Sequence, residues 1–341
     1  EGQLGLGDTT NLSSPVQVGA LTAWMQASGG SGFSVAIKYD GTLYAWGYNG
    51  QGQLGLGDRT ATSSPVQVGA LTTWSKVAAG SNWAHAVKTD GTLWAWGQNG
   101  DGQLGTSNTT NYSSPVQVGS LTTWVELAAG ETHNLAVKTD GTIWSWGINN
   151  NGELGIGNTT TKSSPVQIGS LTTWSRVAAS KEHSLALKTD GTLWAWGFNS
   201  NGALGQGNTT SYSSPVQVGS LTTWAYVTAG RLFSHAIKTD GTLWAWGNGN
   251  AGHLGTGNTT YYSSPVQVGA LTTWAKVEDN QQGGIAITTA GALYAWGNNS
   301  KGDVGDGTTT SRSSPVQVGS LTSWSRLSTA AVSSHNMAIL A

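Results

Sequence analysis

The chain has no cysteine, few charged residues and no long apolar run, and each absence excludes a class of protein. Without cysteine there can be no disulfide scaffold and no cysteine-based zinc site. Charged residues make up 9% of the 341 residues and the formal net charge is −2, so the basic surplus typical of nucleic-acid-binding proteins is missing. The sequence contains no run of 18 apolar residues, so no membrane-spanning helix is predicted.

Glycine and tryptophan are abundant instead, with 50 Gly and 18 Trp, and the tryptophans recur with a period of 50 residues. All seven prolines follow the same period, at Pro15, Pro65, Pro115, Pro165, Pro215, Pro265 and Pro315. Two tryptophan columns accompany them, at Trp24, Trp74, Trp124, Trp174, Trp224, Trp274 and Trp324 and at Trp46, Trp96, Trp146, Trp196, Trp246 and Trp296. Periods of this length are typical of solenoids and propellers, and we interpret both columns as core between neighbouring repeats.

Residues 51–100 show what one repeat encodes. Four short segments, at 64–69, 74–79, 83–88 and 92–97, have the length and alternation of strands. Asp90-Gly91 separates the last two, and Asp-Gly between alternating segments is a strong hairpin signal. The sequence therefore predicts one all-β domain over 1–341, a seven-bladed β-propeller with four-stranded blades. Its repeats are 1–50, 51–100, 101–150, 151–200, 201–250, 251–300 and 301–341.

The seventh repeat is shorter than the others. It ends at Ala341 without a fourth strand, and its loop between the second and third strands is two residues longer than in the third repeat. We expect the last blade to lack that strand, and a strand upstream of Glu1 or from a neighbouring chain would cover the open edge. Because the sequence begins with Glu1 rather than methionine, we expect a processed or cropped chain.

Two recurring strings carry a resemblance to a known family. Residues 88–105 read Lys-Thr-Asp-Gly-Thr-Leu-Trp-Ala-Trp-Gly-Gln-Asn-Gly-Asp-Gly-Gln-Leu-Gly, and residues 128–136 read Ala-Ala-Gly-Glu-Thr-His-Asn-Leu-Ala. Both resemble the repeats of the regulator-of-chromosome-condensation family, and the similarity extends along the whole chain. The resemblance implies a seven-bladed propeller. It leaves the role open, because members include a nucleotide-exchange factor for a small GTPase, secreted β-lactamase inhibitors and bacterial or phage surface proteins.

Differences between repeats concentrate in two kinds of loop: those before the segments that begin at 33, 83, 133, 183 and 233, and the long connections after the Trp-Gly strands. In an up-and-down blade, both kinds of loop lie on the same face, which we call the variable face. Aromatic residues, histidine and arginine there are typical of protein-binding surfaces. The predicted partner-binding residues are Phe33, Tyr48, Trp83, Tyr112, His133, Lys181, His183, Phe198, Tyr212, Arg231, Phe233, Tyr261 and Tyr262. Random drift of unconstrained loops is the alternative interpretation.

No catalytic, metal or cofactor site is predicted. His133, His183 and His335 share one position of the repeat, which could form a metal ring, but a histidine bonded to backbone is the preferred interpretation. The loop at 5–10, Gly-Leu-Gly-Asp-Thr-Thr, suggests weak calcium binding, but its acid becomes Asn in most repeats and an Asx turn explains both residues. No nucleophile lies in a recognisable elbow and no glycine-rich stretch joins a strand to a helix, so we expect no enzyme.

The function predicted from the sequence is a non-enzymatic binding scaffold that presents the variable face to a protein or glycan partner. The first alternative is a structural or adhesive module of a bacterial or phage surface assembly. The second is guanine-nucleotide exchange on a small GTPase, which only the family resemblance suggests. We expect no nucleic-acid partner and no membrane insertion, and we predict an extracellular, surface or virion-associated location.

Overall fold

A computed structural model describes residues 1–19, 23–328, 333 and 335–341 of the chain. Nearly all of its regular structure is antiparallel β, arranged as six four-stranded sheets and one two-stranded sheet. Each four-stranded sheet is a meander in which consecutive strands pair, as expected for strands of five or six residues joined by short turns. None of the described residues forms a helix long and apolar enough to cross a membrane.

The strand bounds repeat with the period of the sequence. The first three sheets contain β1 (Trp24–Gly29), β2 (Phe33–Lys38), β3 (Leu43–Gly47) and β4 (Thr62–Gln67); β5 (Trp74–Ala79), β6 (Trp83–Lys88), β7 (Leu93–Gly97) and β8 (Tyr112–Gln117); and β9 (Trp124–Ala129), β10 (His133–Lys138), β11 (Ile143–Gly147) and β12 (Lys162–Gln167). The next three contain β13 (Trp174–Ala179), β14 (His183–Lys188), β15 (Leu193–Gly197) and β16 (Tyr212–Gln217); β17 (Trp224–Ala229), β18 (Phe233–Lys238), β19 (Leu243–Gly247) and β20 (Tyr262–Gln267); and β21 (Trp274–Asp279), β22 (Gly283–Thr288), β23 (Leu293–Gly297) and β24 (Arg312–Gln317). The two-stranded sheet pairs β25 (Trp324–Leu327) with β26 (Ala338–Leu340).

The Asp-Gly hairpins are confirmed, and the structure shows how they are held. In the second sheet, Gly91 has a φ of 76°, a left-handed conformation that glycine adopts without strain. The carboxylate of Asp90 accepts the backbone N–H of Thr92 at 2.9 Å and its hydroxyl at 2.6 Å. These hydrogen bonds stabilise the charged form and lower the pKa of Asp90. The turn between the second and third strands of a sheet is therefore fixed by local chemistry.

The proline segment lies in a different sheet from the one that the sequence predicts. Residues 62–67 form the outermost strand of the preceding sheet, where β4 pairs with β3 through Ala45 and Val66. The prediction that this segment opens its own repeat's sheet is wrong. The segment forms hydrogen bonds with the Trp-Gly strand of the preceding repeat. The sequence period is the same whether the proline segment begins its own repeat's sheet or ends the preceding sheet, so the period alone does not distinguish the two arrangements.

The prediction of seven four-stranded blades is also wrong. The described residues form six such blades, and the sequence contains six segments of the type Leu/Ile-Trp/Tyr-Ala/Ser-Trp-Gly to serve as third strands. In the described part of the seventh repeat, the strands are β25 and β26. The missing strand is the Trp-Gly strand, which the sequence prediction counted as the fourth of a blade and which is the third strand in the complete blades. The longer loop predicted for this repeat falls mostly on residues outside the described part of the chain.

The last repeat nevertheless contacts the first. Gly307 N–H donates to Ser13 O at 2.7 Å, just as Gly257 N–H donates to Ser313 O. Ser34 Oγ lies 2.8 Å from His335 Nε2. Arg326 also donates a hydrogen bond to the carbonyl of Met25. The ring is therefore closed by side-chain and loop contacts that repeat those made between consecutive blades.

Both tryptophan columns lie in the core, as predicted. Trp96 is fully buried, and its indole N–H donates to Gln53 O at 2.9 Å. Trp74 packs against it edge to face, with ring centroids 6.3 Å apart. Their hydrophobic cluster includes Val35 and Leu43 of the first sheet, so the core is continuous from one blade to the next. This explains why the tryptophans repeat without change: each faces the same neighbours.

Candidate functional site

The two ends of each sheet carry different loops. At one end lie the turns between first and second strands, such as 30–32, and the long loops between third and fourth strands, such as 48–61. At the other end lie the Asp-Gly turns, such as 39–42, and the crossings between blades, such as 68–73. The first end is the variable face, and we call the second the turn face. The variable loops lie at the same end of the sheets whether the proline strand is counted as the first or the last strand of a blade, so their grouping on one face is as expected.

Five of the predicted binding residues are not accessible on this face. They are buried between neighbouring blades at the start of the second strands, with at most 2% of their surface exposed: Phe33, Trp83, His133, His183 and Phe233. A residue that is buried in this way supports the loop above it and does not contact a partner directly. The sequence could not show this, because aromatic residues and histidine occur both in cores and at interfaces.

The buried residues pair with the next blade by chemical type. His133 Nε2 lies 2.7 Å from Ser184 Oγ, and His183 Nε2 lies 2.9 Å from Ser234 Oγ. In the second blade, the indole N–H of Trp83 donates a hydrogen bond to Asn134 Oδ1 at 3.1 Å. The repeats with phenylalanine at this position have Ala84 and Gly284 as the facing residues of the next blade. Polar side chains thus face polar ones, and apolar face small apolar ones.

We call this row of contacts the seam. The sequence carried a signal for it, because the paired residues are 51 positions apart and their types vary together. Burial lowers the pKa of His133 and of His183 to about 3, so both rings are neutral in the physiological range. The histidines therefore act as hydrogen-bonding elements of the seam, and no cluster of three potential metal ligands occurs in the described ranges.

The calcium-like loops are held by Asx turns. Asp58 Oδ1 accepts the backbone N–H of Thr60 at 2.8 Å, and Asn108 Oδ1 accepts that of Thr110 at 2.9 Å. A carboxylate oxygen in one repeat and an amide oxygen in the other accept the same backbone hydrogen bond, which explains why this position is Asp in some repeats and Asn in others.

The other predicted residues retain accessible surface on the variable face. Tyr261 and Arg231 are exposed, and six more are half-buried: Tyr48, Tyr112, Lys181, Phe198, Tyr212 and Tyr262. Tyr48 and Phe198 follow the third strands, and their backbone N–H groups bond to Gly32 O and Glu182 O at 2.8 Å. These bonds hold the first residue of each long loop against the adjacent short turn, so the two variable loops of a blade form one surface.

The half-buried tyrosines at the starts of the fourth strands are anchored by amides. Asn108 Nδ2 donates to Tyr112 Oη at 3.1 Å, and Asn208 and Asn258 do the same to Tyr212 and Tyr262 at 3.2 Å. An anchored ring loses little conformational entropy when it is covered, and this favours its use in recognition.

Charged groups on the variable face are sparse and of mixed sign. Lys181 Nζ lies 3.5 Å from Glu182 and 3.9 Å from Glu131, and all three side chains are about one-quarter exposed. Exposed Arg231 makes no ion pair within the described part of the chain. The surface around Lys181 is therefore neutralised locally, whereas Arg231 offers a guanidinium group to solvent.

Arg231 borders an open pocket of about 460 Å³ on this face. Phe233 and His253 line this pocket, and their rings stack with centroids 5.2 Å apart. The other lining side chains include five amides: Asn248, Asn250, Gln281, Gln282 and Asn298. The pocket coincides with one change in the repeat, since Gly249 stands where other repeats have a buried asparagine.

That asparagine normally clamps the long loop. In the fourth blade, Asn199 Nδ2 donates to Asn208 O and Thr210 O, and its Oδ1 accepts the N–H of Leu204 at 2.9 Å. A Cβ added at Gly249 would lie 2.0 Å from Thr260 O, so the loop of the fifth blade follows a different path. It contains a short 3-10 helix, Asn250–Gly252, with a positive φ at Ala251. The loss of one clamp thus reshapes this part of the variable face.

The first strands of the blades meet at the centre of the ring, where a charged network was not predicted. Arg176 lies 3.5 Å above the ring of Tyr226, 3.7 Å from Glu278 and 3.9 Å from Glu126. Tyr226 Oη donates to Glu278 at 2.5 Å. Burial raises the pKa of Glu278 to about 7, although Arg176 and the tyrosine hydrogen bond act in the opposite direction. Each of these residues comes from a different repeat, so a repeat-by-repeat reading does not bring them together.

Sequence profiles of known families agree with the repeat pattern. The RCC1-like domain profile matches residues 1–228, and the profile of the regulator of chromosome condensation (RCC1) repeat matches residues 240–278 and 290–339. The chain belongs to the RCC1 repeat family. A sequence comparison with curated proteins finds no match.

Solved structures show the same fold at low sequence identity. Human WBSCR16 superposes with a TM-score of 0.85 at 22% identity, over 95% of this chain and 87% of that protein. Saccharomyces cerevisiae Prp20p, described with its binding properties to Gsp1p and histones, gives 0.86 at 19% identity, over 100% of this chain and 89% of that one. Yeast RCC1 (Prp20) bound to Kap60 gives 0.85 at 19%, over 97% and 85%. At this identity the similarity establishes the fold.

Proposed function

We propose that this RCC1-family propeller is a non-enzymatic scaffold that binds a protein partner through the variable face. One observation carries the proposal: accessible side chains that differ between repeats lie at the same end of the sheets. The turn face repeats Gly-(Ala/Ser)-Leu-Thr with little change. Rigid blades that present variable loops at one end are an arrangement suited to recognition.

Arg231 and Phe198 are the residues on which the proposal depends most. Arginine and aromatic residues are enriched where interfaces lose most energy on truncation, and Arg231 stands beside the pocket. The amides around that pocket can donate and accept hydrogen bonds, as backbone groups of a polypeptide require. That solved relatives of this fold bind proteins supports the same class of partner. An extracellular or surface location stays a prediction.

The test is a pull-down from source material with three baits. The first is the unchanged chain, and the second carries Tyr48→Ser, Phe198→Ser, Arg231→Ser and Tyr261→Ser on the variable face. The third, a matched control, carries Leu71→Ser, Leu171→Ser and Leu221→Ser, which are exposed leucines of the turn face. Capture by the first and third baits alone is the expected result.

Other outcomes contradict the proposal in different ways. A partner captured equally by all three baits would place its site away from the variable face. A partner lost only with the turn-face variant would assign binding to the opposite end. Thermal melts of all three baits must agree, so that a lost partner reports a lost contact and not a lost fold.

A further inference from the structure

The crossings between blades expose a leucine at the same position of every repeat that the structure describes there. Six crossings on the turn face read Gly-(Ala/Ser)-Leu-Thr-(Thr/Ser), from 69–73 to 319–323. Their leucines have 40–51% of their surface exposed: Leu71, Leu121, Leu171, Leu221, Leu271 and Leu321. We call this set the leucine ring. Water contact with apolar side chains is unfavourable, so a partner that covers the ring gains free energy.

The leucine ring does not vary, although the exposed loops at the opposite end of the same sheets do. A side chain that is almost half exposed contributes less to the core than a buried one, and a polar residue would suit the solvent better. Exposed apolar residues that recur in a set mark an interaction surface more often than scattered ones do. The turn face is therefore a second candidate surface, separate from the variable face.

Hydrogen bonds to the neighbouring turns hold each crossing in place. Next to Leu71, the N–H of Trp74 donates to Gly41 O at 3.1 Å, and Thr73 O accepts from the N–H of Thr89 at 2.8 Å. These two bonds attach the crossing to the Asp-Gly turns of both adjacent blades. Equivalent bonds occur at the other five crossings. A surface that is already rigid loses little conformational entropy on association.

The turn face carries little net charge at the crossings and turns. None of the six crossings contains a charged residue. The acids at this end lie in the Asp-Gly turns, and each has a lysine two positions before it, as in Lys38–Asp40 at 3.9 Å and Lys138–Asp140 at 3.7 Å. Each turn therefore neutralises its own carboxylate. Two identical faces of this kind can approach without strong repulsion between their turns.

The exposed surface is large enough for a stable interface. All five residues of each of the six crossings are exposed, which gives 30 residues on one face. Specific protein interfaces use about 20–30 residues on each side. The centre of an interface is also depleted of charged residues, as these crossings are.

The rotational repeat of the leucine ring specifies the occupant. A partner without that repeat can contact one or two of the leucines, whereas a second turn face offers the same leucines at the same distance from the ring axis. Two such faces related by a twofold axis contact each other through the same residues. Rotation of one ring against the other places each leucine between two leucines of the second copy.

We propose that the turn face binds the turn face of a second copy of this chain, and that the leucine rings form the centre of the contact. The resulting dimer directs its two variable faces in opposite directions. It would hold two partner molecules at once, a consequence that rests on the proposed function. The dimer itself depends only on the turn face.

The test is sedimentation equilibrium of the whole chain over a hundredfold range of concentration. We expect a mass that rises to twice the 35.2 kDa of the chain. The turn-face variant of the pull-down, with three leucines changed to serine, should weaken the dimer at least tenfold. The variable-face variant is the matched control and should dimerise as the unchanged chain does, because its four substitutions lie at the opposite end.

A nitroxide label identifies the face that is covered. Because the chain has no cysteine, a single Ser220→Cys places the label on an exposed crossing without removing a leucine. Its electron paramagnetic resonance spectrum should broaden as the dimer forms. A label on Tyr261→Cys, which is exposed on the variable face, should show no change. This measurement decides the question even where a leucine variant fails to fold.

Four outcomes would overturn the proposal. They are a mass of 35.2 kDa throughout, equal dimerisation of the turn-face variant, an unchanged spectrum of the label on residue 220, and masses that rise beyond a dimer, since a twofold contact closes at two copies. Binding to phosphatidylcholine vesicles without a dimer in solution would assign the leucine ring to a lipid surface instead. Capture of a partner by the variable face is measured separately, so either proposal can fail alone.

Discussion

The tryptophan core between blades and the centre of the ring use the sequence in opposite ways. Between blades, both tryptophan columns repeat without change, because each column meets the same neighbours in every blade. The indoles of the Trp-Gly strands donate to equivalent carbonyls, and the other column packs edge to face against those indoles. At the centre, equivalent positions of the first strands carry Gln26, Lys76, Glu126, Arg176, Tyr226, Lys276 and Arg326. Contacts with an identical neighbour demand repetition, whereas side chains that converge on an axis must differ to fit and to balance charge.

The strongest way to break the repeated region is Trp174→Ala. Trp174 is 4% exposed and packs edge to face against Trp194 and Trp196. We expect a loss of about 3–5 kcal/mol in the free energy of unfolding, from lost burial and a residual cavity. Urea unfolding measures it. Trp324→Ala is the matched control, because Trp324 in the two-stranded sheet is only half-buried, and it should cost clearly less. Equal losses would show that coverage by a complete blade adds nothing.

The central network predicts a pH dependence that the repeated tryptophans cannot produce. Burial raises the pKa of Glu278 in the folded protein to about 7, from the ordinary value of 4.5. Its stabilising contribution is therefore complete below pH 4.5 and is lost as the pH rises through 7. We expect this group to lower the free energy of unfolding on the order of 1–3 kcal/mol between pH 5 and pH 8.

Glu278→Gln isolates this effect. The amide keeps the shape and cannot ionise, so the fall between pH 5 and pH 8 should become shallower. Some fall should remain, because burial also raises the pKa of neighbouring Asp279. An unaltered pH profile would show that Glu278 is charged throughout this range.

A smaller effect tests the polar pairing of the seam. Ser184→Ala removes the partner of His133 Nε2 and should cost about 1–3 kcal/mol, because a buried ring nitrogen is left unpaired. Adding His133→Phe recreates the Phe33–Ala84 pairing of the first seam and should recover part of the loss. Gly130 already provides the small residue that Gly30 provides beneath Phe33. A double-mutant cycle without positive coupling would refute pairing by chemical type.

The smallest effect is expected on the variable face. Phe198→Ser with Arg231→Ser should change the free energy of unfolding by less than about 0.5 kcal/mol, since both residues retain solvent exposure. A differential scanning melt compares them with Trp174→Ala. A loss approaching that of the tryptophan would mean that these side chains support the fold, and the proposed binding role would lose its basis.

Several features of the site were readable from residue types and others were not. The Asp-Gly turns, the tryptophan core and the grouping of variable loops at one end follow from short-range patterns, and the structure has all three. Phe33 and Trp83 were misassigned to a binding surface, because exposure depends on the neighbouring blade and not on the loop in which a residue stands. The pocket beside Arg231 had one visible signal, Gly249 in place of asparagine, whose meaning required the clamp contacts of Asn199.

The sequence by itself determined the repeat, the hairpins and the burial of the two tryptophan columns, because each depends on contacts within one repeat or between identical copies. Tertiary structure decided the phase of the proline strand, the number of complete blades and the central network. The proline strand pairs about 20 positions back along the chain, as Val66 with Ala45 shows. Ring closure and the central network depend on pairs about 50 to 300 positions apart, as Arg176 with Glu126 and His335 with Ser34 show. A period defines the spacing of residues along the chain, but only the folded ring decides which strand edge pairs with which neighbouring strand.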